Sequence, residues 1–248
     1  MKNEVLFSAQ ADVYAKYRPT YPQELYDFIL RHIQHWDIAW DCGTGNGQAA
    51  AVLAGYFKKV FGTDISQKQL NNAVNKSNIQ YINCPAEHTP FSENLFDLVT
   101  VAQAYHWFEF DQYKKEVHRV AKSGALLAVW SYGHIAIEPT INELMRNFHD
   151  HIVGPYWDSR RKYVTNGLRD VPFIYPEIPS RPFSLELKWT LADLEGYLES
   201  WSAVQTCKLK TGNDPVPGCI EKISEFWNDH ESKCITFPLT LRMGRIVK

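Results

Sequence analysis

The chain has 248 residues, 45% of them hydrophobic, with 26 lysines and arginines against 28 aspartates and glutamates and a formal net charge of −2. That length suits one domain with a large core and an insertion, and the near-neutral balance excludes the global basic field that draws proteins to nucleic acid. Five scattered cysteines without a C-x-x-C pair argue against a disulfide framework or zinc site, and no signal-peptide layout or membrane-length apolar run is visible, so the chain is expected in the cytoplasm.

In chain order, Pro22 opens a helix whose Leu25, Ile29 and Ile33 recur at four-residue spacing. A short apolar run from Ile38 then ends in Asp41 and three glycines at alternate positions, Gly43, Gly45 and Gly47, before the helical stripe of Ala50, Leu53 and Ala54. Glycines there permit positive φ and let a ligand approach the backbone without meeting a Cβ. The next apolar strand, Val60 to Asp64, also ends in an acid, at the spacing of a β-α-β unit. Ser66 caps a helix carrying Leu70, Ala73 and Val74; Ile79 to Ile82 and Phe96 to Val101 read as buried strands, Tyr113, Val117 and Val120 as one helix face, and Ala125 to Trp130 as a fifth strand. This alternation implies parallel pairing with right-handed crossovers.

Beyond Trp130 the pattern changes. Thr140 and Glu143 form a capping-box signature ahead of Ile141, Leu144, Met145, Phe148 and Ile152, and residues 154–182, rich in proline and aromatics, read as an irregular cap. Phe183 to Trp189 alternates as a strand does; Thr190 caps a helix with Leu191, Leu194, Leu198 and Trp201, and Ile220, Ile223 and Phe226 mark another helix. Gly212 to Gly218 reads as a loop. Ile235 to Val247 is the candidate final strand, with Pro238 limiting its pairing, and the sixth and seventh strands are not assigned.

The glycine turn itself discriminates between ligands. A dinucleotide fingerprint wants its third glycine where Gln48 stands, and Asp41 would repel a pyrophosphate, which disfavours a nicotinamide-dependent oxidoreductase. Asp41 suits a ligand with an ammonium group and a cationic sulfur, of which S-adenosylmethionine (SAM) is one. Asp41 to Gly47, Asp64-Ile65-Ser66, Ala86-Glu87, Phe96 to Val99, Ala104 to Phe108 and Arg119 to Gly124 together resemble the ordered motifs of class I SAM-dependent methyltransferases. More narrowly they are similar to the small-molecule branch, methyltransferase type 11, that holds the trans-aconitate methyltransferases, and Tyr14 to Pro22 is similar to that branch's entry segment. Ser123 departs from the family's usual proline.

The resemblance implies a three-layer α/β Rossmann-like fold: a seven-stranded, mostly parallel sheet with an antiparallel final strand and a helical cap inserted after the fifth strand. The expected layout is one methyltransferase domain over 1–248, with an amino-terminal lid and helix over 1–35 and the cap over 134–189. A carboxylate is the natural acceptor for two ribose hydroxyls, which gives Asp64 that role, with Ile65 on the purine. Ala86 and Glu87 match the adenine-edge contact, Gln103 and Ala104 lie at a strand end where the methionine side should sit, and Tyr14 and Arg18 are expected over the cofactor. Asp41, Gly43 and Gly45 complete the expected cofactor site. His106 is the candidate general base, should the acceptor need to lose a proton; His-Trp-Phe at that place could equally close the pocket wall. The N/D-P-P-Y/F cluster of amino-directed nucleic-acid methylases is absent, and no acid between Asp97 and Glu109 offers itself to a metal, so neither nucleic acid nor a metal is expected. The expected function is methyl transfer from SAM, yielding S-adenosylhomocysteine, to a small molecule, a carboxylate being one candidate. The alternative is a non-catalytic SAM-binding sensor or activating subunit. The expected assembly is a monomer or homodimer with no membrane partner.

Overall fold

A computed structural model describes residues 19–173 and 175–248. Five parallel strands form first: β1 (Ile38–Cys42), β2 (Lys59–Asp64), β3 (Ile79–Asn83), β4 (Phe96–Ala102) and β5 (Ala121–Tyr132). Each is read in the sequence as a nearly continuous apolar run, because a parallel strand is covered on both faces. With β6 (Glu177–Ile178) and β8 (Lys233–Arg245) the sheet order is β3-β2-β1-β4-β5-β8-β6, and β7 (Phe183–Trp189) also pairs with β8. The sheet is thus eight-stranded where seven strands were expected, and β8 runs antiparallel between β5 and β6. Pro238 does not interrupt the β5 ladder, which ends one residue later at Tyr132 and Leu239.

The chain divides into two compact units. The first comprises Thr20–Gly133, Tyr163–Phe183 and Leu239–Lys248; the second comprises His134–Lys162 and Ser184–Pro238. In the first unit the helices are α1 (Gln23–Leu30), α2 (Gln48–Leu53), α3 (Gln67–Asn71) and α4 (Phe110–Val120). Its core is aromatic: Trp40 stacks on Phe96 at 5.6 Å, Phe91 meets Phe96 edge to face at 4.8 Å, and the Trp40 indole donates to Thr63 Oγ1 at 2.9 Å, so the buried N–H is satisfied.

Two details of this unit depart from the sequence reading for physical reasons. No turn separates α4 from β5; instead the strand starts at Ala121 and bulges between Ala121 and Leu126, with Gly124 at φ 82°. The two-residue β6 lies in the stretch read as irregular. The Arg242 guanidinium on β8 holds it, pairing with Glu177 at 2.6 and 3.0 Å and donating to the carbonyls of Leu168 and Val171 at 2.6 Å.

The second unit holds α5 (Pro139–Asn147), α7 (Leu191–Glu199), α8 (Ser202–Thr211) and α9 (Val216–Ser224), the short α6 (Arg161–Thr165) falling at the junction in sequence. The expected capping box at Thr140 does not form: Glu138 is the N-cap, Pro139 fills the first helical position, and Thr140 lies inside the helix. Proline wins there because its fixed φ is already helical and its missing N–H is not needed. At α7 the box does form, with Asp193 N–H donating to Thr190 Oγ1 at 3.3 Å and Thr190 N–H to Asp193 Oδ2 at 2.9 Å. Thr190→Ala removes this cap and should lower the unfolding free energy by about 1 kcal/mol, read as a reduced thermal midpoint.

Candidate functional site

The loop between β1 and α2 is built by three left-handed glycines, Gly43 (φ 68°), Gly45 (φ 54°) and Gly47 (φ 79°). Their needs differ. A Cβ on Gly43 would lie 2.5 Å from the Ala104 Cβ, and one on Gly47 would collide with the Tyr81 hydroxyl, so these two serve close packing. A Cβ on Gly45 would meet nothing nearer than Gln69 Oε1 at 4.0 Å. Among the described residues the middle glycine therefore faces open space.

Two carboxylates fasten this turn. Asp41 is 1% exposed and accepts from Thr44 Oγ1 (2.5 Å), Thr100 Oγ1 (2.8 Å) and the Ala50 N–H (3.1 Å). Both of its oxygens are engaged by the protein. These contacts let Asp41 organise the turn from beneath, because the β1–β4 register puts Thr100 directly beside it. Burial pushes its pKa up to about 6 against the pull of those hydrogen bonds, with the nearby Asp64 charge adding to the rise. Asp64, half-buried at the end of β2, accepts the Gly45 N–H at 2.9 Å and the Ser66 N–H at 2.8 Å. Burial raises its pKa too, opposed by the backbone amides of Ser66, Gly45 and Ile65. Its carboxylate thus stands next to the open glycine.

The other expected residues fall around this centre with mixed roles. Ile65 follows Asp64 and is 39% exposed, a large apolar side chain left in solvent beside a carboxylate. Ala86 is buried, and Glu87 accepts the Glu109 N–H at 2.8 Å, which ties one of its oxygens to the start of α4. Gln103 ends β4 in the left-handed region at φ 58°, where a side chain other than glycine is strained. Its backbone N–H bonds the Trp130 carbonyl at 2.9 Å, yet its side-chain Nε2 is buried with no acceptor among the described residues. Ala104 packs on Gly43. His106 lies on the single helical turn Tyr105–Trp107, 4% exposed, its ring 4.8 Å from that of Trp107. Tyr14 and Arg18 lie outside the described residues.

Sequence reasoning missed Thr44, Thr100 and Tyr81. Only the sheet register brings Thr100 to Asp41 and Tyr81 to Gly62, whose lack of a Cβ makes room for the ring. Thr44, three residues after Asp41, carried a local signal: a hydroxyl within reach of the acid at the same turn.

Residues 40–129 match the model of a methyltransferase domain. Over almost the whole chain, 96% of it and 94% of the other, the sequence is 33% identical to a Dictyostelium discoideum protein named as a methyltransferase. The chain belongs to the class I SAM-dependent methyltransferases. A solved structure described as a type II methyltransferase from Anaeromyxobacter dehalogenans shares 32% identity and superposes with a TM-score of 0.84, covering 93% of this chain and 98% of that one. A Saccharomyces cerevisiae protein whose name specifies S-adenosylmethionine dependence is 31% identical over 128 residues, 48% of this chain and 44% of its own. The cofactor of this methyltransferase is SAM.

The residues present fit that cofactor. Among the described residues, an open glycine, a carboxylate able to accept from hydroxyls, an exposed isoleucine and a buried amide donor lacking an acceptor lie at the carboxyl ends of β1, β2 and β4, where open α/β sheets bind ligands.

Asp41 also sets a pH dependence. Its folded-state pKa of about 6 lies above the ordinary 3.8, so its contribution to stability is full below pH 3.8 and is lost as the pH rises through about 6. The loss is on the order of 2–3 kcal/mol. Asp64 shifts in the same direction. Asp41→Asn, which keeps an acceptor for Thr44 and Ala50, should flatten most of the fall in unfolding free energy between pH 4 and 7, measured by denaturant titration at a series of pH values.

Proposed function

We propose that this methyltransferase moves the methyl group of SAM to a free small molecule in the cytoplasm, a carboxylate being the acceptor put first, with no nucleic-acid or membrane partner. The observation that carries the cofactor half of the reading is Asp64 held against the open Gly45 by the Gly45 and Ser66 amides. The acceptor half is supported by the near-neutral charge of −2 and by the lack, among the described residues, of any helix long and apolar enough to cross a membrane.

In this reading Asp64 accepts from the ribose hydroxyls and Ile65 covers one face of the purine. Ala86 and Glu87 meet the adenine edge, and Gln103 and Ala104 line the methionine side, where the Gln103 amide finds the oxygen it lacks among the described residues. Asp41 contributes through the turn it holds. Bound SAM supplies a methyl group on a cationic sulfur, already a strong electrophile. What remains for the protein is alignment and exclusion of water, and alignment alone supplies roughly 7–11 kcal/mol in well-oriented systems. A carboxylate acceptor is ionised at neutral pH and needs no base. His106 is the candidate base for an acceptor that must shed a proton.

Calorimetry with SAM and S-adenosylhomocysteine tests the first half. Both should bind the unaltered protein, and Asp64→Ala should weaken them about 100-fold, the loss of charge-assisted hydrogen bonds to two hydroxyls together with the two amide contacts that fasten the turn. Absence of binding by either compound ends the proposal, and unchanged affinity in the variant removes Asp64 from the site. Mass spectrometry of a cell extract incubated with the protein and methyl-labelled SAM then identifies the acceptor.

A further inference from the structure

Residues 84–95 join β3 to β4 within the first unit, and this loop carries Ala86 and Glu87. Its two ends are fastened independently of its middle. The Cys84 N–H donates to the Asp64 carbonyl at 3.2 Å, and the Phe91 ring packs edge to face on Phe61 at 5.0 Å and on Phe96 at 4.8 Å. The stretch between them is held from outside, by helix α4.

That helix grips the loop at two places. At its N-cap the Glu109 N–H donates to Glu87 Oε1, which leaves Glu87 Oε2 without a donor among the described residues. Two turns further along, Glu116 Oε1 accepts from the Thr89 N–H at 2.8 Å, from Thr89 Oγ1 at 2.5 Å and from Arg119 Nη2 at 2.7 Å, while Oε2 accepts from Arg119 Nε at 2.9 Å. Arg119 also reaches the loop itself, donating to the Phe91 carbonyl at 2.7 Å and the Thr89 carbonyl at 3.2 Å. Glu116 and Thr89 are 6% and 5% exposed. Burial pushes the Glu116 pKa up, but the bonds from Arg119 and Thr89 outweigh it and hold the group below its ordinary 4.5, so it is a carboxylate at neutral pH.

Covering the core at this place on α4 needs only an apolar side chain, and a buried carboxylate is costly unless its lone pairs are met. What its directional, charge-assisted bonds add is a fixed place for the backbone of Thr89, two residues after Glu87. Glu87 is thereby set from two sides, by Glu109 on its own carboxylate and by Glu116 through the chain. We propose that Glu116 is a positioning residue for the purine: with Arg119 it fixes the loop so that the Glu87 carboxylate stands ready to accept from the 6-amino group of adenine. The inference rests on the proposed SAM site and adds to it the side chain that sets its adenine edge.

Calorimetry on the full chain tests this with S-adenosylhomocysteine and with its purine-riboside analogue, in which hydrogen replaces the 6-amino group. The unaltered protein should bind the first about tenfold more tightly than the second, the worth of one charge-assisted hydrogen bond. Glu116→Gln keeps the shape and removes the charge. It should weaken S-adenosylhomocysteine about tenfold, leave the analogue within about twofold, and cost nothing further in a Glu87→Ala background. A merely structural role would weaken both ligands alike. Should Glu116→Gln fail to fold, judged by circular dichroism, Thr89→Val keeps the backbone bond, loses the hydroxyl one and carries the same test with an expected loss of about threefold. The inference alone is overturned by equal affinity of the unaltered protein for the two ligands, by unchanged affinity in the folded variant, by equal weakening of both ligands, or by additive losses in the double variant. Failure of S-adenosylhomocysteine to bind the unaltered protein ends the SAM reading and this inference together, so the two failures are told apart.

Discussion

Two carboxylates hold one glycine turn, and the first unit is arranged so that they can. Asp41 takes three donors from within the fold and is fully buried; Asp64 takes the Gly45 and Ser66 amides and remains at the rim. Burying both acids near one another is unfavourable, as their raised pKa values show, and the turn's own N–H and O–H groups offset much of that cost. Thr44, Thr100, Ala50, Gly45 and Ser66 thus act as a single network. A network of this kind holds a loop in one shape, the preorganisation that the proposed binding of a sulfonium nucleoside draws on.

The same constraint explains why strain collects here. Gln103 adopts a left-handed conformation that costs of order 1–3 kcal/mol and carries a buried amide without an acceptor among the described residues. Neither feature stabilises the fold, and both lie at the strand end that faces the turn through Ala104 and Gly43. Gly43 and Gly47 are required by neighbours that would otherwise collide, whereas Gly45 alone answers to empty space. Close packing thus rests on Gly43 and Gly47, and the proposed cofactor site uses the space at Gly45 between them.

Much of the first unit was legible in the sequence, and the reason is periodicity. The runs ending in Asp41, Asp64 and Ala102 are apolar enough to be buried on both faces, and the helices between them carry simple stripes. Local capping chemistry was legible where nothing competed, at Ser66 and Thr190, and illegible where Pro139 took the first helical position from Thr140. What could not be read is what register decides: that Thr100 stands beside Asp41, that Tyr81 fills the space left by Gly62, and that Arg242 pins a two-residue strand at Glu177. Helix α8 escaped notice because its buried face, Ala203, Val204 and Cys207, is built of small residues and gives only a weak apolar stripe.

The central claim is that the glycine turn held by Asp41 and Asp64 is where the nucleoside of SAM binds. A crystal structure of the protein with S-adenosylhomocysteine tests it most directly. The account predicts the ribose hydroxyls on the Asp64 carboxylate, ligand atoms over Gly45 within van der Waals distance, and the Asp41 contacts to Thr44, Thr100 and Ala50 unchanged. Ligand bound elsewhere, or bound at the turn with Asp64 making no contact to the ribose, would contradict it.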